Sequence, residues 1–168
     1  MGTRIAVVGA TGNVGRELFN ILDERLFPAD EVYAIASRRS IGQEIAYGDR
    51  TLKCHDLEQF DFSRVDLVLM SAGSKVAKEW CPKIAKAGAI TIDNSSAWRG
   101  DPDVPLVVSE VNPHALDSIP KGIVANPNCT TMAALLQPKG APMQRVARRA
   151  LVVDDHTFVA EAVALAIS

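Results

Sequence analysis

Three stretches of the chain combine residue types that can do chemistry. "IVANPNCTTMAAL", residues 123–135, places Cys129 after an apolar run that can form a strand and before a run that can start a helix. "GATGNVG" supplies Gly9, Gly12 and Gly15 directly after another apolar run, and "ASRRS" follows a third. The three stretches are candidates for a nucleophile, an anion-binding turn and a cationic site.

Cys129 is either a nucleophile or a small buried apolar side chain. A thiol just after a strand of an open α/β sheet lies where such sheets bind their ligands, and a helix N-terminus favours the thiolate. Pro127 fixes the approach of the chain, and Asn126 and Asn128 offer amide groups that can hold the loop or polarise a carbonyl. We expect Cys129 to be the reactive thiol of this chain.

The glycine turn lies between the run "RIAVV" and a segment with apolar residues at helical spacing. In that context glycines allow a tight turn and a close approach of the backbone to a pyrophosphate, and the N–H groups of the helix N-terminus face the anion. A tight strand-to-helix turn without a ligand is the alternative. The context favours dinucleotide binding.

The residues after the second strand indicate which dinucleotide binds. An NAD enzyme usually offers an acidic side chain to the ribose hydroxyls at this point, whereas this chain has Ser37, Arg38, Arg39 and Ser40. This favours NADP, because an arginine can hold the 2'-phosphate. Solvated surface arginines are the alternative, and only one of the two needs to point at the phosphate.

Composition narrows the class of partner. With 18 Lys and Arg against 20 Asp and Glu, the net charge of −2 gives no reason to expect binding to nucleic acid or to an anionic membrane. The apolar run at the start is too short for a membrane span and lacks a signal-peptide pattern, so we expect a cytoplasmic protein with a small-molecule substrate. The cysteines are odd in number and lack C-x-x-C spacing, so we expect no disulfide and no metal site, with Cys54 and Cys81 as buried structural thiols.

Strands alternate with helices along most of the chain, which predicts a Rossmann-like, doubly wound and mainly parallel sheet. A short hairpin is expected around Gly48-Asp49, and helices over residues 13–27 and 74–88. The predicted strands span residues 4–8, 31–37, 65–72, 89–95, 105–112 and 122–127. The domain prediction is a cofactor-binding domain over residues 1–134, a linker over 135–149 that is rich in proline and positive charge, and a tail fragment over 150–168.

Three motifs together resemble those of the aspartate-semialdehyde dehydrogenases: "VVGATGNVG", "IDNSSAWRGDPDVPLVVSEVN" and "IVANPNCTTMAA". The resemblance covers residues 4 to about 134. It implies a dimeric, NADP-dependent enzyme that reduces L-aspartyl 4-phosphate with NADPH to L-aspartate 4-semialdehyde and phosphate through a cysteine thioester. The related acyl-phosphate reductases of arginine biosynthesis share this chemistry and are the alternative, but their sequence around the cysteine differs from "NPNCTT".

The resemblance also assigns roles to individual residues. Cys129 matches the cysteine that forms the thioester, Arg99 matches the arginine that binds the substrate phosphate, and Asn128 is expected to line the site. An arginine in a loop after a strand can hold a dianion bidentately, which agrees with that role; a solvated loop arginine is the alternative. The matches to the cofactor site are Thr11, Gly12, Asn13 and Val14 at the pyrophosphate and Arg39 and Ser40 at the 2'-phosphate, with Gly9, Gly15 and Ser37 completing the two turns.

Beyond residue 134 the sequence departs from the family pattern, and the acid/base histidine of the family's second domain has no match. His55, His114 and His156 lie outside the motifs, and we expect each to be a surface or satisfied core residue. The tail over residues 150–168 resembles the first strand and helix of a receiver domain. These observations predict a truncated and impaired enzyme, with a catalytically inactive NADP-binding fragment as the alternative.

Overall fold

In the computed structural model, which describes residues 2–135, a seven-stranded sheet carries a helix on each face. Six strands run parallel, and β3 joins the edge as the antiparallel partner of β4. The strand order is β3-β4-β2-β1-β5-β6-β7. The strands are β1 (Thr3–Val8), β2 (Ala29–Ala36), β3 (Glu44–Tyr47), β4 (Arg50–Asp56), β5 (Leu67–Met70), β6 (Ile90–Asp93) and β7 (Ile123–Ala125), and the helices are α1 (Asn13–Glu24), α2 (Ser74–Lys86) and α3 (Cys129–Leu135).

The central strand β1 is buried on both faces, as an apolar run without alternation predicts. Ile5 and Val7 pack into the layer beneath α1, which contributes Leu18, Phe19 and Leu22. The alternate positions of β1 pack into the opposite layer beneath α2, which contributes Ala77, Cys81 and Ile84. Both helices therefore bury the residues that recur at helical spacing, and the fold is the predicted doubly wound sheet.

A predicted hairpin turn and a predicted helix end both occur at glycines with a positive φ. Gly48 has φ of +53° in the turn between β3 and β4, which form the expected hairpin. Gly88 has φ of +99° directly after α2, and its N–H donates to Ala85 O at 3.0 Å. A left-handed residue at this position closes the helix with backbone hydrogen bonds.

The prediction of a strand over residues 105–112 is wrong. Only an isolated bridge between Leu106 and Ala125 forms there, beside β7. The side chain of Asn112 explains why the chain turns, because its Nδ2 donates to Leu106 O at 2.9 Å and its Oδ1 accepts from Val108 N at 2.8 Å. A local side-chain amide thus satisfies backbone groups that a longer strand would have paired.

The predicted linker, from residue 136 on, and the predicted tail lie outside the described residues. Within residues 2–135, no helix is long and apolar enough to cross a membrane. The same part of the chain contains no cluster of three or more potential metal-ligating side chains.

Candidate active site

The predicted site residues lie after the carboxyl ends of four parallel strands. The glycine turn follows β1, the serine and arginine turn follows β2, Arg99 follows β6 and Cys129 follows β7. Because β2, β1, β5, β6 and β7 are consecutive parallel strands, these four turns share one edge of the sheet. Ligands of open α/β sheets bind at this edge.

Backbone packing requires glycine at two positions of the first turn. Gly9 has φ of +90°, and a Cβ at this position would collide with the backbone carbonyl of Ser71. A Cβ on Gly15 would collide with the carbonyl oxygen of Gly9, so this glycine lets α1 pack against the turn. The turn and the helix are therefore built around the absence of two side chains.

Gly12 differs from both, because among the described atoms a Cβ there would approach only Gly9 O, at 3.3 Å. Gly12 is exposed and is the N-cap of α1, with φ of −74° and ψ of 164°. No side chain of residues 2–135 caps this helix, and its first turn holds no acidic residue. The exposed N–H groups of such a helix start can bind an anion, so the turn fits the pyrophosphate of a dinucleotide.

The remaining residues of this turn are half-buried or exposed. Thr11 and Val14 are half-buried, and Asn13 is exposed at the first position of α1. The side chain of Arg16 donates from Nε to Thr11 O at 3.3 Å, which ties the turn to the helix.

The turn after β2 is a single 3₁₀ turn, Arg38–Ser40, closed by a hydrogen bond from Ser40 N to Ser37 O at 2.8 Å. Both arginines are exposed, and neither forms an ion pair within the part of the chain that the structure describes. Their guanidinium groups are thus available to an anionic ligand at the same edge as the glycine turn.

Cys129 is the first residue of α3, and Asn128 organises its surroundings. The Oδ1 atom of Asn128 accepts from Cys129 Sγ at 3.1 Å and from both the N–H and the Oγ1 of Thr130 at 3.2 Å. Its side-chain oxygen therefore caps the helix, while its Nδ2 remains a donor for a ligand. The thiol is half-buried and lies beside this amide.

Arg99 joins the ends of β6 and β7. Its Nε donates to Asn126 O at 2.8 Å, and its Nη2 donates to Asn94 O at 3.2 Å. The two asparagine side chains also meet, because Asn126 Nδ2 donates to Asn94 Oδ1 at 2.8 Å. The structure therefore brings Arg99 to the loop that carries Cys129.

The other two thiols are unsuited to attack an external substrate. Cys81 is fully buried on α2, and burial, reinforced by the nearby charge of Asp93, raises its pKa to about 12. Cys54 is buried on β4, and burial raises its pKa as well. Both are neutral at physiological pH, which leaves Cys129 as the accessible thiol of residues 2–135.

The histidines that the structure describes have exposed side chains. His55 is exposed and contacts the rings of Tyr33 and Phe60 edge to face. His114 is exposed in the 3₁₀ turn Pro113–Asp117. His156 lies outside the described residues.

The sequence patterns singled out neither Asp93 nor Ser95, which lie at the start of the turn that leads from β6 to Arg99. Asp93 Oδ1 accepts from Ser95 N at 3.0 Å, and Asp93 Oδ2 accepts from Ser95 Oγ at 2.8 Å. The run "IDNSS", with polar residues directly after an apolar strand, was the available signal. A groove of about 520 Å³ between the end of α2 and the start of β7 is lined by none of the predicted site residues.

Comparison with known proteins places this chain in a family. The profile of the semialdehyde dehydrogenase NAD-binding domain matches residues 4–119. The chain belongs to this family. Among similar proteins, the aspartate-semialdehyde dehydrogenase of Aquifex aeolicus is 52% identical over 143 residues, which are 82% of this chain and 42% of the relative.

Two solved semialdehyde dehydrogenases have the same fold. Aspartate semialdehyde dehydrogenase II of Vibrio cholerae, solved in complex with ASA, is 43% identical with a TM-score of 0.78 and covers 80% of this chain and 44% of its own. The Candida albicans enzyme, solved with NADP, is 25% identical with a TM-score of 0.64 and covers 78% of this chain and 44% of its own. The chain spans about two fifths of the length of the curated relatives that it matches.

Proposed function

We propose that this chain is the cofactor-binding, cysteine-bearing part of an NADP-dependent aspartate-semialdehyde dehydrogenase. The observation that carries the proposal is that Arg99 donates to Asn126 in the loop that leads to Asn128 and Cys129, at the sheet edge that also holds the glycine turn. A nucleophile, an anion-binding group and a dinucleotide-binding turn are three of the parts that the reaction needs.

In the proposed reaction Cys129 attacks the acyl carbon of L-aspartyl 4-phosphate. The new carbon–sulfur bond forms as the carbon–oxygen bond to phosphate breaks, and the phosphate leaves with the electron pair. Arg99 holds the phosphate through N–H groups that it does not use on Asn94 and Asn126. The Nδ2 of Asn128 donates to the acyl oxygen, where negative charge develops.

NADPH, when bound, supplies the hydride that converts the thioester to the aldehyde and frees the thiolate. Gly12 and the start of α1 hold its pyrophosphate, and Arg39 with Ser40 hold its 2'-phosphate. Thr11, Asn13 and Val14 shape the first turn, and Ser37 shapes the second. The similarity of the chain to aspartate-semialdehyde dehydrogenases, one of them solved with NADP, supports this assignment.

A spectrophotometric assay in the oxidative direction tests the proposal. The chain is mixed with aspartate semialdehyde and NADP, and NADPH formation is followed with and without phosphate. We expect phosphate-dependent NADPH formation that Cys129→Ala abolishes. Activity only with the N-acetylated semialdehyde of arginine biosynthesis would show that this aldehyde, and not aspartate semialdehyde, is the substrate. The absence of activity with either aldehyde would contradict the proposal.

A further inference from the structure

Asp93, the last residue of β6, is a fully buried carboxylate that the reaction above does not use. Both its oxygens accept from Ser95, and Ser95 Oγ accepts in turn from Ala97 N at 3.1 Å. Asp93 O also accepts from Asn126 N at 2.9 Å, which links β6 to the loop after β7. One residue thus fixes the first steps of the turn that leads to Arg99.

Keeping a carboxylate in this position is costly. Burial raises the pKa of Asp93, while the hydrogen bonds from Ser95 and the charge of Arg99 oppose that shift. The same local pattern occurs at the surface, where Asp61 Oδ1 accepts from the N–H and the Oγ of Ser63. There solvent stabilises the charge, so the turn geometry alone does not require burial of a carboxylate.

The geometry connects Asp93 to the orientation of Arg99. The turn that starts at Asp93 brings the guanidinium to the carbonyl oxygens of Asn94 and Asn126. These two contacts use two of the five N–H groups of the guanidinium and leave three for an anion. A small change in the path of the turn would break both contacts and let the side chain swing into solvent.

We propose that Asp93 is a positioning residue that holds Arg99 ready to bind the anionic group of the substrate beside Cys129. The proposal rests on the proposed function, in which Arg99 binds the substrate phosphate. Asp93 acts through Ser95 and does not contact the substrate itself.

Alkylation of Cys129 by two electrophiles tests this without turnover. Iodoacetate carries a negative charge and iodoacetamide is neutral, so the ratio of their rate constants, normalised to that of glutathione, reports the cationic field at the thiol. For the wild-type chain we expect a normalised ratio above one, because Arg99 attracts the anion, and we expect Arg99→Ala to lower it by about fivefold.

Asp93→Ala should lower the ratio by a similar factor while the iodoacetamide rate changes less than about twofold. Asp93→Asn keeps an acceptor for Ser95 N–H and should restore at least half of the lost preference. Asp61→Ala, which removes the same hydrogen-bond pattern at the surface, is the matched control and should leave the ratio unchanged. If Asp93→Ala does not fold, Ser95→Ala is the test variant instead. It removes the hydroxyl that donates to Asp93 Oδ2 and accepts from Ala97 N.

A wild-type ratio after Asp93→Ala, or after Ser95→Ala where the first variant does not fold, would overturn the proposal. An equal loss in Asp61→Ala would also overturn it, because general loosening would then explain the effect. If Arg99→Ala itself has no effect, the role of Arg99 in the proposed function fails too. If the ratios behave as expected but no NADPH forms in the assay above, the proposed function fails and the positioning role stands.

Discussion

At the scale of single residues, exposure separates the three thiols. Cys129 is half-buried and hydrogen-bonds to Asn128, whereas Cys81 is fully buried and Cys54 is 5% exposed. A thiol that a substrate cannot reach has no catalytic use, whatever its intrinsic reactivity. Cys129 is therefore the thiol within residues 2–135 that an external substrate can reach.

The turn after β2 gives a prediction about the cofactor. Because Arg38 and Arg39 are exposed and follow the strand where NAD enzymes place an acid, NADP should bind more tightly than NAD by about 1 to 3 kcal/mol. Arg39→Ala should reduce the affinity for NADP and leave that for NAD unchanged, with Arg38→Ala as the comparison. Calorimetric titration with each dinucleotide measures this, and equal affinities in the wild-type chain would contradict it.

Cys81 makes folding stability depend on alkaline pH. Its pKa rises from 9.0 to about 12 on folding, so between these values the unfolded chain releases a proton that the folded chain keeps. The folded state then binds more protons, and the free energy of unfolding falls as pH rises, by up to about 1.4 kcal/mol per pH unit.

Urea unfolding of the reduced chain at a series of pH values above 8 tests this prediction. Cys81→Ala should be less stable at neutral pH, and its deficit should shrink as the pH rises, because it lacks the titrating thiol. Ile84→Val, which removes a methylene group from the same buried face of α2, should show a constant deficit. A constant deficit for both variants would show that Cys81 does not titrate differently in the two states.

Residue types, spacing and the family resemblance singled out Cys129, Arg99 and the glycines as candidate site residues, because each lies within a local motif. They did not predict Asp93, whose role depends on its burial and on a partner two residues away in the same turn. The contact of Arg99 with Asn126 O spans 27 positions in the sequence. Contacts of that kind form because β6 pairs with β7, and a local sequence pattern cannot predict them.

At the scale of elements, the β1–α1 unit combines a structural and a ligand-binding requirement. Gly9 and Gly15 remove side chains where a Cβ would collide with backbone atoms, whereas a Cβ on Gly12 would approach Gly9 O only to 3.3 Å. Substitutions at these positions should therefore affect different properties of the protein.

Alanine variants at two glycines separate folding from cofactor binding. Gly12→Ala should keep the stability within about 1 kcal/mol of the wild-type chain, yet lower NADP affinity at least about tenfold, because the methyl group occupies the approach to the pyrophosphate. Gly15→Ala should cost more than about 2 kcal/mol, because its methyl group meets the carbonyl of Gly9. Thermal unfolding and dinucleotide titration measure the two effects. Wild-type NADP affinity in Gly12→Ala would refute the proposed position of the cofactor.

The segment over residues 105–112 shows where element prediction failed. Its apolar, β-branched composition is typical of a strand, but a strand also needs a partner for its backbone groups. Asn112 supplies that partner locally for Leu106 and Val108. Sequence pattern alone could not show that a side chain six positions away would compete with the sheet.

At the scale of the whole molecule, strand order brings the site together. The turns after β1 and β2 and those after β6 and β7 are separated by up to about 120 positions in the chain, but they share one edge of the sheet. β1 lies between β2 and β5, so the glycine turn is central among these turns. Alternation of strands and helices predicted this architecture, because parallel neighbours require crossover connections.

The proposed function depends on one covalent step on Cys129. The described residues include the proposed nucleophile, the groups around it and the proposed cofactor turns, while the chain spans about two fifths of the length of its curated relatives. A measurement that detects a single thioester tests these residues without requiring rapid turnover.

The most direct measurement is mass spectrometry of the chain after incubation with aspartate semialdehyde and NADP in the absence of phosphate. We predict an aspartyl adduct on the peptide that contains Cys129, formed only when NADP is present, with one NADPH released per adduct. Addition of phosphate should remove the adduct, and Cys129→Ala should form none. A folded chain that binds NADP but forms no adduct, or forms it equally in Cys129→Ala, would contradict the account.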